Sequence, residues 1–528
     1  MLGGSSKRRR LRIIIPAYPA FNIYSSAARK TTALGPVCVA SAVSEMGGWD
    51  AEVIDENNLR RYGPRSKSGG ADHAFLQQLR PADIAGFYGG LTSTIPRLYE
   101  IARFYKEQGV ITLAGGHHFT PETIGEALSS GIDYVVIGEG EETVKKLIRV
   151  LEQEKEPGGV RGIAYLDHGQ ITYTPPRAPL EDFDPLPLPN FSLVRYAKIK
   201  IYPIERIRGC GMNCEFCAVS GRPRCASAER LLENVRRLVE TQGAKEFFVV
   251  DNLFGQQRED TLKFCRLLVD YQKNIGKQLW FMVQIRLDKA KDPELLSAMY
   301  EAGIRVVAIG YETPIEEELL AMNKHINPRE MLSLTDTFHK FGFLIHGMFI
   351  FGYPSRDAEK FHMAAAERAV RFKAFIKKAK LDTVQVLLPV PLPGTQLRAR
   401  LREQNRIYPT GDVGWEYYDG NFPLFEPDEP MRVEEMQAAI TKIMGMIYQF
   451  KNVALAVCDI AYFPSLLFFL YNLKLGWRGW YHSWRNHWMR FGGWITVRKW
   501  SQQFKKGNFA EKVKRAREHI DRGRPGFI

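Results

Sequence analysis

Between residues 11 and 137, short apolar runs alternate with longer stretches whose apolar positions recur every three or four residues. Runs at 11–15, 51–55, 83–88, 110–114 and 133–137 read as strands. Segments such as IPRLYEIARFYKEQG and PETIGEALSSG read as amphipathic helices between them. Near-continuous apolar strands separated by helices predict a parallel sheet covered on both faces. Glycines close several strands: Gly89 and Gly90, Gly115 and Gly116, and the segment Gly138-Glu139-Gly140-Glu141. Open α/β sheets take ligands at strand C-terminal ends, which makes Gly115, Gly116, Gly138 and Glu139 candidate ligand contacts. The alternative is that these glycines only turn the chain. The spaced G-x-G-x-x-G of a nicotinamide-binding turn does not follow the first strand.

Six prolines between Thr174 and Asn190 predict a linker and a domain boundary. A second strand–helix series then begins with YPIERIRG and continues at 246–250, 279–284, 304–309, 343–351 and 382–388. Six such units are too few for a closed eightfold barrel and suit a partial one, with its working loops at the strand C-terminal ends. From about Tyr408 the pattern changes to loops, an amphipathic stretch near VEEMQAAITKIMGMIYQF, and an apolar, aromatic tail. There is no internal repeat and no low-complexity tract.

A chain of 528 residues exceeds what one hydrophobic core supports, so two or three domains are expected. The basic start meets a proline after a short apolar run, which does not suit a secretory signal; a reducing cytoplasm is the expected compartment. The formal charge of +14 is concentrated. From Lys474 onward fourteen basic residues face three acidic ones, leaving +11 in the last tenth of the chain. Such a tail suits nucleic acid or an anionic membrane face.

Of seven cysteines, Cys210, Cys214 and Cys217 crowd into eight residues, while Cys38, Cys225, Cys265 and Cys458 are scattered. This is not the pattern of a disulfide scaffold. Three thiolates spaced C-x3-C-x2-C cannot close a tetrahedral zinc site without a fourth ligand, from Cys225 or a histidine. They can hold three irons of a [4Fe–4S] cluster and leave the fourth open to a substrate or cofactor.

The loop CGMNCEFC, with Phe216 before its last cysteine, resembles the cluster-binding loop of the radical S-adenosylmethionine (SAM) superfamily. The resemblance implies that the open iron chelates the amino and carboxylate groups of SAM. One electron then cleaves a carbon–sulfur bond to give a 5′-deoxyadenosyl radical. It implies an external donor such as flavodoxin or ferredoxin. Later segments resemble the family in order. FFVVDNLF places Asp251 and Asn252 near the SAM amino group, VQIRLD brings Gln284 and Arg286 towards SAM, and VVAIGYETP ends in Glu312. GMFIFGYPSRD and PVPLPGTQL resemble the fifth strand and the loop after the sixth. The bland reading of each is an ordinary barrel residue, with Arg286 or Glu312 in a structural ion pair.

The first domain is similar to the cobalamin (B12)-binding domain that precedes the barrel in one subgroup, through LGPVCVASAVSEMGGWDAEVIDENN, AGGHHFT and VVIGEGEET. The expected organisation is a Rossmann-like, doubly wound B12-binding-type domain over 1–190, a partial (β/α)6 radical SAM barrel over 191–407, and a mainly helical region over 408–528. The motif Asp-x-His-x-x-Gly, whose histidine binds cobalt from below, is absent, since Asp72 and His73 are adjacent. His117 and His118 are either part of a polar lining or ordinary turn residues. Cobalamin and methyl transfer to an unactivated carbon are the implied cofactor and reaction. Radical cyclisation or carbon–carbon coupling is the alternative.

The run 453–473 is long enough to span a bilayer but is interrupted by Asp459 and Pro464. A core helix or re-entrant segment competes with a span. Trp477, Trp480, Trp484 and Trp488 then form a helical stripe with Arg478, Arg485 and Arg490 interleaved. That is the pattern of an interfacial helix on a membrane, and a stripe packed on the barrel is its rival. Aromatics with arginine also suit RNA, but no recognisable RNA module accompanies them. The expectation is a cytoplasmic enzyme, peripheral on the membrane, acting on an apolar substrate such as an isoprenoid, hopanoid, lipid chain or porphyrin-like molecule.

Overall fold

The computed structural model describes residues 8–521 apart from 61–62, 68, 220, 357–360, 463–475 and 506–507. Its first sheet runs β1 (Arg9–Ile15), β2 (Trp49–Asp55), β3 (Ile84–Tyr88), β4 (Ile111–Gly115), β5 (Tyr134–Val136), β6 (Ile163–Asp167), β7 (Gln170–Tyr173) and β8 (Val194–Arg195). The spatial order is β7-β6-β5-β4-β3-β1-β2-β8. The five predicted strands pair in parallel around β1, as their two-sided burial requires. The β6–β7 hairpin was not expected from the sequence. It turns on His168 and Gly169, both with positive φ, as a two-residue hairpin loop requires. Its apolar Leu166 and Ile171 are exposed, and alternation alone does not reveal such an edge pair.

The proline-rich stretch is a packed strap, not a free spacer. Arg230 donates to the carbonyls of Asp184, Leu186 and Pro187, and the Phe183 ring lies under the guanidiniums of Arg208 and Arg224. The chain then returns to the first sheet, since β8 pairs with β2.

The second sheet has the order β16-β15-β14-β13-β12-β9 and is parallel throughout. Its strands are β9 (Ile201–Ile204), β12 (Glu246–Phe254), β13 (Trp280–Ile285), β14 (Ile304–Glu312), β15 (Leu344–Ile350) and β16 (Thr383–Leu387). Sequential neighbours of this kind make a half-barrel. Alternate residues such as Phe247, Phe281 and Phe349 are buried under the outer helices, while Phe248, Met282, Met348 and Leu387 occupy the opposite, half-buried face. Between β9 and β12 lies an antiparallel ribbon, β10 (Ile207–Arg208) with β11 (Arg224–Cys225).

The C-terminal region holds both units. Tyr417, Phe422, Val433 and Phe509 share a core with the first sheet's outer helices. The helix Val433–Ile447 covers β16, and the Tyr448 hydroxyl bonds both the N–H and the C=O of Val384, capping an edge strand that would otherwise be open.

The tryptophan helix, Gly476–Lys505, packs part of its expected stripe on the protein. It packs on the helix Lys451–Tyr462 and on the strand-entry end of the half-barrel. Arg485 lies 3.8 Å above the Trp280 ring, Arg490 donates to the carbonyls of Leu381 and Asp382, and Asn486 bonds the Asp382 carboxylate. Trp480 stacks on Trp484 and donates to the Asp459 carbonyl, and Trp500 is buried. Asp459, the charge that interrupted the apolar run, is paired with His487 at 2.7 Å. Two of the three arginines thus serve the barrel, because guanidiniums beside exposed strand-end carbonyls are already satisfied there. The side chains of Trp477 and Arg478, and positions 463–473 of the apolar run, lie outside the described residues.

Candidate functional site

The three cysteines sit on a loop zipped at its base by the β10–β11 ribbon. Gly209 and Gly211 both have positive φ, and a Cβ on Gly209 would stand 2.4 Å from the Arg222 carbonyl, so only glycine lets the two arms close. The N–H groups of Cys210 and Gly211 donate to the Gly221 carbonyl, and that of Cys217 to Cys214. Gln256 bonds the Cys210 carbonyl, Asn323 the Asn213 carbonyl, and the Val219 N–H points at the Cys217 sulfur at 3.4 Å. Most of these bonds hold the loop's shape through backbone and amide groups, which leaves the Cys210 and Cys214 thiols available as ligands. Burial raises the thiols of Cys214 and Cys217, and the three sulfurs act on one another electrostatically. Among the described residues no three Cys, His, Asp or Glu side chains gather tightly enough to hold a single metal ion. Three thiolates on one loop suit a cluster that leaves one iron open. Cys225, the fourth zinc ligand considered, belongs instead to the β11 ladder opposite Ile207.

Glu215, between the second and third cysteines, was not singled out in the sequence. It is buried, accepts from Tyr353 at 2.7 Å, and receives Arg400 bidentately at 2.8 and 2.9 Å. Its backbone joins Met322 and Leu397. The tip of the loop is thereby bolted to the loops after β14, β15 and β16. A glutamate beside the tyrosine of GYP and an arginine after PLPGTQL carries no sequence signal, because the three lie 138 and 185 positions apart.

The structure does not bring all the expected site residues to one surface. Asn252 and Gln284 share the half-buried inner face of β12 and β13. Asp251 has the opposite parity and is fully buried: one oxygen accepts from the backbone N–H of Arg206 and Ile207, and the other has no partner among the described residues. Burial raises this carboxyl to about 7 against those two bonds. Arg286 is paired with Asp288 and touches the Met212 sulfur in the cysteine loop. Glu312 is the strained member, at φ +61, with its carboxylate folded over Gly310, where a Cβ would come within 2.5 Å of it. It is bound to Lys324 at 2.7 Å. Burial works against the Lys324 ammonium, but Glu312 overrides it and holds it above its usual range; Cys214 and Arg286 are close enough to act on it too. Lys324 is the second residue that the sequence did not mark.

On the first sheet, Gly116 has φ +130 and packs on the Gly89–Gly90 backbone, Gly89 is filled by Phe119, and Gly115 bonds Gly89. Gly138 has positive φ, and Glu139 is bound to Arg208, Arg224 and the Leu180 N–H. Glu139 therefore ties this sheet to the base of the cysteine loop. Arg398 grips Glu122 bidentately, completing a clamp between the two strand-exit edges. His117 is exposed. His118 is buried edge-on against Trp415, and burial lowers its pKa to about 3.

Buried polar atoms that have no partner among the described residues mark what the edges are built to hold. On the first sheet's edge these include the Tyr24 and Thr31 hydroxyls, His118 Nε2 and Thr120 Oγ1; by the cysteine loop they are Asp251 Oδ2 and Gln256 Oε1. The first set fits a large ligand rimmed with polar groups, and Gln256, which holds the Cys210 carbonyl, has an oxygen left for a polar group beside the loop.

Residues 204–366 match the radical SAM superfamily and residues 23–148 the B12-binding domain. An uncharacterised methyltransferase of Pyrococcus horikoshii is 30% identical over 325 residues, covering 58% of this chain and 68% of that protein. The hopanoid C-2 methylase of Rhodopseudomonas palustris is 28% identical over 231 residues, 43% of this chain and 42% of its own length. In fold, the radical SAM methyltransferase TsrM of Kitasatospora setae, solved with cobalamin and a [4Fe–4S] cluster, is similar at a TM-score of 0.62 and 15% identity, over 91% of this chain and 99% of that one. The chain belongs to the radical SAM superfamily, in the group whose barrel follows a B12-binding domain. It is an enzyme of that group, with a [4Fe–4S] cluster, SAM and cobalamin as its cofactors.

Proposed function

We propose that this chain transfers a methyl group to an unactivated carbon of an apolar, lipid-like or porphyrin-like substrate. The observation that carries the reading is the clamp between the two strand-exit edges, with the cysteine loop pinned at their seam by Glu139 to Arg208 and Arg224. When bound, the cluster with SAM supplies hydrogen abstraction, and cobalamin the methyl group. Cys210, Cys214 and Cys217 would hold the cluster; Asn252, Gln284 and Arg286 would line the SAM side. Glu312 and Lys324 neutralise each other beside the loop and so hold that wall rigid. Phe248, Met282, Met348 and Leu387 give the half-barrel's inner face apolar ground for an apolar substrate, while Asn252, Gln284, His346 and Gln385 on the same face supply polar contacts. The hopanoid-methylating relative supports the same substrate class.

A membrane-borne substrate is favoured by an apolar patch on the paired C-terminal helices. Phe450 is 62% exposed, Val457 53%, Ile460 49% and Trp488 39%, and only Trp488 belongs to the stretch from Lys474 that carries +11. Among the described residues, the stretch Val433–Ala461 has the length and apolar composition to cross a bilayer, though it is broken at Tyr448–Phe450 into two helices. We favour an interfacial seat, because its second half is paired with the tryptophan helix.

The test is anaerobic turnover with trideuteromethyl-SAM, a one-electron reductant and a lipid extract. Formation of both 5′-deoxyadenosine and S-adenosylhomocysteine with label in a lipid product is expected. Deoxyadenosine with no labelled product refutes methylation and favours cyclisation or coupling.

A further inference from the structure

Tyr24, whose unpartnered hydroxyl was noted on the first sheet's edge, forms a polar cluster with Asp419 and Asn421, to which no role has been given. Asn421 is fully buried, and neither its amide nitrogen nor its amide oxygen has a hydrogen-bond partner among the described residues. Its backbone N–H donates to Asp419 Oδ1 at 2.9 Å, while its side-chain amide lies beside the carboxyl without hydrogen-bond geometry. Asp419 Oδ2 and the Tyr24 hydroxyl are likewise shielded and unpartnered, and the Asp419 charge reaches Tyr24. Four unpaired polar atoms in one buried spot are far above what a native interior leaves by accident.

The cluster stands where the two sheets' exit edges meet. The Gly420 carbonyl accepts from the Leu388 N–H at 2.6 Å, just past β16, and Tyr24 lies in the segment after β1. Phe21 is sandwiched against Tyr417 and Phe422, each 5.1 Å away, which holds the two segments together. Burial raises the Asp419 carboxyl to about 7, so near neutral pH it can offer a proton as well as accept one. The groups acting on that carboxyl are Asn421 and backbone, with no arginine or lysine among them, which disfavours an anionic ligand.

We propose that Asn421, Asp419 and Tyr24 form a subsite for a neutral primary amide on the rim of the corrin ring. A primary amide offers one acceptor and two donors in one plane. It can pair reciprocally with the Asn421 amide and leave its second N–H for Asp419 or Tyr24. The inference rests on cobalamin being the cofactor and adds that the C-terminal region, not only the B12-binding domain, recognises it.

The test is absorbance titration of the full-length protein with hydroxocobalamin, together with thermal midpoints with and without it. Asn421→Leu keeps the branched side-chain shape and removes both polar atoms. Its midpoint without cobalamin should not fall, its affinity should drop about tenfold or more, and its cobalamin-induced shift should shrink. Dicyanocobinamide, which lacks the nucleotide tail, should show the same loss, because the corrin amides remain. Tyr24→Phe, which removes a single oxygen, should lose roughly threefold, and it carries the test if the leucine variant does not fold. Unchanged affinity in the variants, or a loss confined to intact cobalamin, overturns the subsite alone. Failure of the parent protein to bind hydroxocobalamin overturns the cofactor reading and the subsite with it.

Discussion

Glu215 is the point at which the cluster loop can be loosened without touching a thiol. Replacing it with alanine removes the acceptor for one tyrosine hydroxyl and for a bidentate guanidinium. Removing one partner of a buried ion pair costs about 3–5 kcal/mol. Arg400 keeps bonds to the carbonyls of Ser355 and Pro354 and is 17% exposed, which places the loss at the lower end, about 3 kcal/mol. That loss acts on opening of the loop, since Glu215 joins it to the loops after β14–β16. At about 1.4 kcal/mol per factor of ten, opening becomes roughly a hundredfold more frequent. Native-state hydrogen exchange on peptides spanning 209–223 reads this directly, through the bonded amides of Cys210, Gly211, Glu215 and Cys217. Their exchange should accelerate by about that factor, and iron content after anaerobic reconstitution should fall. The distant helix Ile95–Glu107 should be unaffected. Glu215→Gln keeps an acceptor for Tyr353 and should show about a tenfold effect. Exchange within about threefold of the parent, with full iron content, would refute the assignment of Glu215 as the bolt.

Three further outcomes are expected. Cys214→Ala should abolish reductive SAM cleavage, whereas serine at Cys225, Cys265 or Cys458 should leave it intact; cleavage by the Cys214 variant would sink the ligand assignment. A carboxyl whose folded pKa lies above its unfolded one holds its proton more tightly when folded, so Asp251 lowers stability progressively as pH rises from about 4 to about 7. Asp251→Asn should match the parent near pH 4 and exceed its thermal midpoint above pH 7, and an unchanged difference across that range counts against the burial argument. Full-length protein should float with anionic vesicles at low salt and less so at high salt, since each basic residue contributes about 1 kcal/mol that salt screens. Serine at Phe450, Val457, Ile460 and Trp488 should weaken flotation without reducing SAM cleavage, and no effect would leave the patch as bare surface.

The alternation of apolar strands and amphipathic helices was sufficient to place both parallel sheets, because strands buried on two faces leave a continuous apolar record. Crowding and spacing were likewise enough to single out Cys210, Cys214 and Cys217 as candidates, because ligand chemistry is local. The β6–β7 hairpin left no such record, being short, at an edge and partly exposed. Side-chain direction was a matter for the tertiary structure. Neighbouring Asp251 and Asn252 look equivalent in the sequence, yet the pleat sends them to opposite faces. The sequence likewise did not show the partners of Glu139 and Arg490, which are Arg208 with Arg224 and the carbonyls of Leu381 and Asp382. Glu215, Lys324 and Asn421 were invisible for the same reason. Each takes its meaning from groups far off in the chain or from polar atoms that burial leaves unpaired. Burial and long-range pairing are properties of the folded arrangement, which residue type and spacing do not encode.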